Sequence, residues 1–174
     1  MEYIAEHQES DGWLGPRPAK PADFDAWSLL LVLKPVMQYA EVTGDGRYQE
    51  VIARALAMLN RWLDQYPLIN WGNSRWFEGL ISIYWLYAKT QEGWLLGLAH
   101  KLAAQGADWK GVCRAELYRH RIPNYSASTQ LSHVVNNAMA IKAYGLRWRL
   151  TGSLDDRLLP AAFLNYLDRY HGQV

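Results

Sequence analysis

The sequence predicts an all-α fold, and three observations carry that expectation. Apolar residues recur at three- and four-residue spacing over long stretches, while no strand-like alternation of any length occurs. Three times the chain writes an aromatic or aliphatic helix, a turn carrying a threonine, and a helix running back, with turn threonines at Thr43, Thr90 and Thr151. Their unequal spacing marks a degenerate hairpin repeat rather than a regular solenoid. A chain of 174 residues, 50% of them hydrophobic, is long enough to bury the core of one domain.

Residues Met1 to Gln8 read as the last turns of a helix. Ser10 to Pro16, followed by Pro18 and Pro21, reads as an ordered loop, because Asp-Gly and Gly-Pro pairs mark tight turns. Trp13, inside that loop, is expected to be exposed. From Asp23 the pattern becomes helical, with Asp23 or Asp25 as cap and residues 26–42 as body. The run Leu29 to Leu33 makes this helix apolar on nearly every side, as for a helix surrounded by others, and Pro35 is expected to kink it. Gly44 stops it and Asp45 caps the next, at about Tyr48 to Gln65. There Tyr48, Val51, Ile52, Ala55, Leu56 and Leu59 form one stripe, with Glu50, Arg54, Arg61 and Asp64 outside it, the pattern of an outer helix.

The pairing recurs. Residues 76–89 are rich in apolar side chains, Thr90 to Gly93 turns them, and Trp94, Leu95, Leu98 and Leu102 stripe the return helix. The third pair opens on the most unusual stretch, one long helix from His133 to Leu150 that is apolar almost throughout but polar in its first turn. After Thr151-Gly152-Ser153 a segment from Leu154 to Tyr170 returns, kinked or restarted by Pro160. Turns inside the hairpins are short, so the long loops Tyr66 to Arg75 and Gly106 to Gln130 should gather at the opposite end. An apolar inner helix paired with an amphipathic outer one, repeated, suggests a double-layered α/α toroid. Three hairpins cannot close the common ring of six. Residues 1–174 are therefore expected to be a smaller bundle or a partial barrel domain incomplete at both ends, able to self-associate through bare apolar edges.

Eighteen Lys and Arg against seventeen Asp and Glu give a formal charge of +1, with no run of one sign, which argues against a nucleic-acid partner. Cys113, the single cysteine, cannot form an internal disulfide or, by itself, a thiolate zinc site, and is expected to be a small buried residue. The five histidines, His7, His100, His120, His133 and His171, show no metal-ligand spacing. The N-terminus has neither a basic nor an apolar leader region, and the longest apolar run is too short to cross a membrane, so a cytoplasmic location is expected. Nine Trp and eleven Tyr bury well and also stack on sugar rings, which permits a carbohydrate site.

His133, Asn136 and Asn137 lie three and four residues apart, so an imidazole and two amides share one helical face. At a helix N-terminus they suit an oxygen-rich ligand, or equally serve as caps for neighbouring carbonyls. For glycoside cleavage by paired carboxylates the candidates are Glu78, Asp108, Asp11 and Asp25. Glu78, following Trp76 and Phe77 at a helix start, is the best of them, its other role being to complement the helix dipole.

Five segments, Gln8 to Pro16, Ala40 to Asp45, Trp76-Phe77-Glu78-Gly79-Leu80, Gln105 to Trp109 and His133-Val134-Val135-Asn136, together resemble the β-L-arabinofuranosidase-type enzymes of glycoside hydrolase family 127. The likeness covers nearly the whole chain. It implies an (α/α)6-barrel catalytic domain that removes terminal sugars from plant-type glycans with retention of configuration. It also implies a zinc-held cysteine nucleophile, with further cysteine and glutamate ligands and an assisting carboxylate. None of that cluster is assigned here, and Cys113 matches neither nucleophile nor ligand, so zinc is expected only in a full-length member. These residues alone are expected to be inactive. Tyr170 to Val174 looks like the approach to the family's glycine-rich catalytic segment. By the same resemblance His133 matches a histidine that contacts sugar hydroxyls, with Asn136 beside it, and Asp11 and Trp13 match a loop near the barrel mouth. Leu31 stands where many members have a histidine. Trp71 and Trp76 are expected to converge on the same open end.

Two other readings compete. One is a non-catalytic helical module that binds sugar or protein through its long loops. The other is a different α/α-toroid enzyme, such as an unsaturated glucuronyl hydrolase or a polysaccharide lyase, for which Tyr118, His120 and Tyr125 would matter.

Overall fold

The structure, a computed structural model, describes residues 1–117, 119, 120 and 129–172. Among these, every regular element is a helix. In chain order they are α1 (Glu2–Glu6), α2 (Trp27–Thr43), α3 (Gly46–Trp62), α4 (Asn70–Ser74), α5 (Glu78–Thr90), α6 (Trp94–Gln105), α7 (Trp109–Arg114), α8 (Val134–Ala140), α9 (Ala143–Thr151) and α10 (Leu154–His171). Short 3-10 turns at Pro21–Asp23 and Gln130–Ser132 precede α2 and α8.

All three hairpin turns are built alike. Gly44, Gln91 and Gly152 adopt left-handed backbone conformation, with φ of 67°, 57° and 65°. Each donates its N–H to the carbonyl four residues back, closing the helix before it. The threonine just ahead, Thr43, Thr90 or Thr151, accepts the N–H two residues on, at 3.3, 3.4 and 3.2 Å. A threonine and a left-handed residue thus reverse the chain three times.

The hairpins pack side by side in sequence order: α2 and α3 against α5 and α6, and these against α9, with α10 lying along α9 and α7. The α3 stripe from Tyr48 to Leu59 is buried as its spacing requires. Gly79 sets the closest approach at the centre. A Cβ there would stand 2.9 Å from a methyl of Leu30 on α2 and 2.8 Å from one of Leu102 on α6. Both leucines are fully buried, and each such burial stabilises by roughly 1.5–3 kcal/mol. Gln8, Arg54 and Arg61 strap the N-terminal segment onto α3, through bonds to the carbonyls of Val51, Glu9 and Asp11 at 2.9, 2.6 and 2.7 Å.

Several expectations need correction. The stretch from His133 to Leu150 is two helices, broken at Ile141 and Lys142, where the Lys142 side chain reaches across to Glu78. Both long loops contain a short helix, α4 and α7. Pro160 does not restart the last segment, since α10 runs through it as a single helix. Helix α2 is not enclosed on all sides: Leu31, Tyr39 and Val42 are exposed, the last by 87%. Trp13 is 1% exposed, not open to solvent. Its ring packs against Phe24 and Trp62 and its Nε1 donates to the carbonyl of Gly15 at 2.9 Å.

Candidate functional site

The segments between hairpins meet at one end of the array, and Asp25 begins the assembly. Its carboxylate accepts the backbone N–H of Trp27 at 3.0 Å, of Trp71 at 3.0 Å and of Gly72 at 2.7 Å. It thereby caps the start of α2 and draws α4 onto it. Gly72 permits the approach, since a Cβ there would lie 3.0 Å from the Asp25 oxygen. Trp71 and Arg75 are four residues apart, so their side chains meet. The Arg75 guanidinium lies between two indoles, 4.5 Å from the Trp27 ring centroid and 4.6 Å from that of Trp71.

From the other side comes α8. Arg75 Nε donates to Asn136 Oδ1 at 2.7 Å, and Asn136 Nδ2 donates to the Gln130 carbonyl at 2.7 Å and to Ser74 Oγ at 3.4 Å. Asn136 is completely buried and every hydrogen-bonding atom of its amide is engaged. His133 is exposed, its ring edge-on to Trp71 with centroids 5.4 Å apart. Residues from the start of α2, from α4 and its C-terminal end, and from the approach to α8 and its first turn therefore form one cluster: Trp27, Trp71, Arg75, Gln130, His133 and Asn136. Of the residues expected to converge, His133, Asn136 and Trp71 are brought together.

Glu78 lies just beyond, at the first residue of α5. It is fully buried and forms ion pairs with Lys34 of α2 and with Lys142, whose Nζ is 2.6 Å from Oε1. Three inner elements are joined through one carboxylate, and its place in the first turn also complements the α5 dipole. The other acidic candidates are engaged as well. Asp108 caps α7 through the Gly111 N–H at 3.0 Å and accepts the Tyr144 hydroxyl at 3.1 Å. Asp11 accepts Arg17 at 2.6 Å, and that bond, with the Trp13 N–H, holds its carboxyl below the usual range.

Asp11 and Trp13 sit apart from the Arg75 cluster, over the C-terminal end of α3. There Asp11, Trp13, Arg17, Trp62 and Tyr66 help line a shallow cleft of about 330 Å³. Trp76 lies in the core, 1% exposed, with Nε1 donating to the Ala107 carbonyl at 3.2 Å. Its ring presses on Gly106, where a Cβ would come within 2.0 Å of it. His120 is exposed and accepts from Arg119; Tyr118 and Tyr125 lie outside the described residues.

Among the described residues no group of three or more His, Cys, Asp or Glu is placed to hold a metal. Cys113 is buried, and burial pushes its thiol above the ordinary value. No described helix is long and apolar enough to cross a membrane.

Sequence reasoning missed Arg75, Trp27 and Gln130, and the two lysines on Glu78. One signal was available, the four-residue spacing of Trp71 and Arg75. Fold and site together define an all-α protein of stacked helical hairpins with an aromatic, cationic cluster where its long connections meet. No protein-family model, curated protein or solved structure matches the chain.

Proposed function

We propose that the chain is part of a glycoside hydrolase resembling family 127, and that its share of the work is to hold a terminal sugar of a plant-type glycan where the long connections meet. The observation that carries this is the convergence of Trp71, Arg75, His133 and Asn136 from separate stretches of sequence onto one patch. Aromatic surface beside a few fixed hydrogen-bonding groups is what a sugar, apolar on its faces and polar at its rim, demands. The side-by-side order of the hairpins is compatible with an arc of an (α/α)6 ring. A catalytic zinc-thiolate centre, if the family likeness extends so far, is supplied by residues other than these.

A second reading, a non-catalytic sugar-binding module, is favoured by one fact. Glu78, Asp25, Asp108 and Asp11 are all bonded within the protein, so none of these four is a free acid or base. Hydrolysis of an aryl β-L-arabinofuranoside by a longer protein that contains these residues, lost in W71A and H133A of that protein, would decide against it.

The sugar site is tested by saturation-transfer NMR with methyl β-L-arabinofuranoside. Transfer from the wild-type protein to the sugar is expected, and its loss in W71A and H133A. Absence of transfer, or transfer unaffected by both substitutions, would refute the site. The same reading proposes self-association through exposed Leu31 and Val42 on α2 and Val134 and Val135 on α8. Sedimentation velocity across a concentration series that returned only a 20.0 kDa species would count against it.

A further inference from the structure

We infer that the glycan bound at this end carries a carboxylate, in the form of a hexuronate residue, and that Arg75 is the group that reads it. The inference rests on the sugar-binding reading above and names the chemistry of the ligand.

Among the described residues Arg75 makes no ion pair. Among those same residues its guanidinium makes one hydrogen bond, from Nε to a neutral amide, Asn136, and its two terminal nitrogens have no acceptor. The two carboxylates whose charge it feels are already committed, Asp25 to three backbone N–H groups and Glu78 to two lysines. Arg75 is half-buried, and burial between the indoles lowers its pKa. Arg17 and Arg47, each paired with carboxylates, are shifted the other way. A partly desolvated guanidinium without a counter-ion costs free energy that an incoming anion would recover.

Geometry and charge narrow the anion. Indoles lie against the guanidinium and Asn136 takes its Nε, so the terminal pair of N–H groups is what remains without an acceptor among the described residues. That planar pair matches the two oxygens of a carboxylate. The local charges are those of Arg75, Lys34 and Lys142 against Asp25 and Glu78, which leaves one positive charge. One charge suits a monoanionic carboxylate better than a dianionic phosphate.

The test is an NMR titration of the chain with D-glucuronate and D-galacturonate, their neutral counterparts D-glucose and D-galactose, and inorganic phosphate. It is run on wild type, R75Q and R75K, with thermal melts of each. At least one uronate should bind the wild type about tenfold or more tighter than its neutral counterpart, the usual worth of a charge-assisted bond. R75Q should bring the two to parity, and R75K, which keeps the charge without the fork, should recover only part of the preference. Parity in the wild type, a preference that survives R75Q, or phosphate binding tighter than both uronates would overturn the inference. If the arabinofuranoside binds as proposed above while uronates show no preference, this inference falls alone. If neither the arabinofuranoside nor any of these sugars binds, the sugar-binding reading falls with it.

Discussion

Arg75 Nε lies 2.7 Å from Asn136 Oδ1, and that bond ties the residues ahead of α5 to the first turn of α8 across 61 positions of sequence. Because Asn136 is fully buried, removing its amide strands partners that are themselves only partly accessible to water. N136A leaves Arg75 Nε and the Gln130 carbonyl without their bonds, and each unsatisfied buried group costs about 1–3 kcal/mol. The urea midpoint should therefore fall well below that of the wild type with an unchanged slope. A midpoint matching wild type would mean that water replaces the amide and that the link is not structural.

Glu78 divides the catalytic reading from the structural one. Its carboxylate holds Lys34 and Lys142, so E78Q removes the charge that both ammonium groups face while keeping the shape. Both lysines retain some solvent access, which limits the penalty to the lower end of what breaking a buried pair costs, about 3 kcal/mol or less. The expected result is a clear loss of thermal stability. A variant that melts like wild type yet loses sugar hydrolysis in a longer, active protein would restore Glu78 as a catalytic acid.

Asp156 should govern the acid limb of stability. Burial raises its pKa, but hydrogen bonds from Lys110 at 2.9 Å, Arg147 at 2.8 Å and Thr151 at 2.9 Å outweigh burial and leave it below 3.8. A carboxyl depressed in the folded state binds protons more readily when unfolded. Its contribution is thus present above the unfolded value and is lost as pH falls through the folded one. Stability should hold at neutral pH and decline below about pH 4. D156N should be less stable than wild type at pH 7, with a shallower decline in acid. Parallel urea midpoints for both proteins between neutral pH and pH 3 would show that other carboxyls set the limb.

The parts legible in sequence were those written locally. A threonine followed by a left-handed residue, and an apolar stripe at three and four, act within a few residues, so the turns at Thr43, Thr90 and Thr151 and the buried face of α3 could be read directly. Trp13 could not, because its burial depends on Phe24 and Trp62 arriving from elsewhere. The break at Ile141 and Lys142 carries no proline or glycine to announce it, and it coincides with a pairing to the distant Glu78. The candidate site divides in the same way. His133 and Asn136 stood out as polarity in an apolar helix; Arg75, which was missed, carried only its four-residue spacing from Trp71 as a signal. That Arg75 would lie between Trp27 and Trp71 and bond Asn136 is a property of packing alone.

The three turns offer a comparison inside one molecule. Gly44 and Gly152 hold the left-handed position in the first and third, while the second uses Gln91 at φ 57°. A residue with a Cβ pays roughly 1–2 kcal/mol there that glycine does not. In partial return, Gln91 Nε2 bonds the carbonyls of Tyr87 at 3.0 Å and Ala88 at 3.3 Å, but the side chain is exposed and such bonds compete with water. Relief of strain should exceed the lost bonds and the extra backbone freedom of glycine, so Q91G is expected to stabilise the chain by about 0.5–1 kcal/mol. The reciprocal change, G152Q, should destabilise it by about 1 kcal/mol, since nothing lies within 4 Å of a Cβ at that position and only the backbone opposes it. Urea midpoints of the two variants should move in opposite directions. If Q91G is neutral or worse, the carbonyl cap made by the glutamine side chain is worth more than the strain, and the middle turn is closed by that side chain rather than by its backbone.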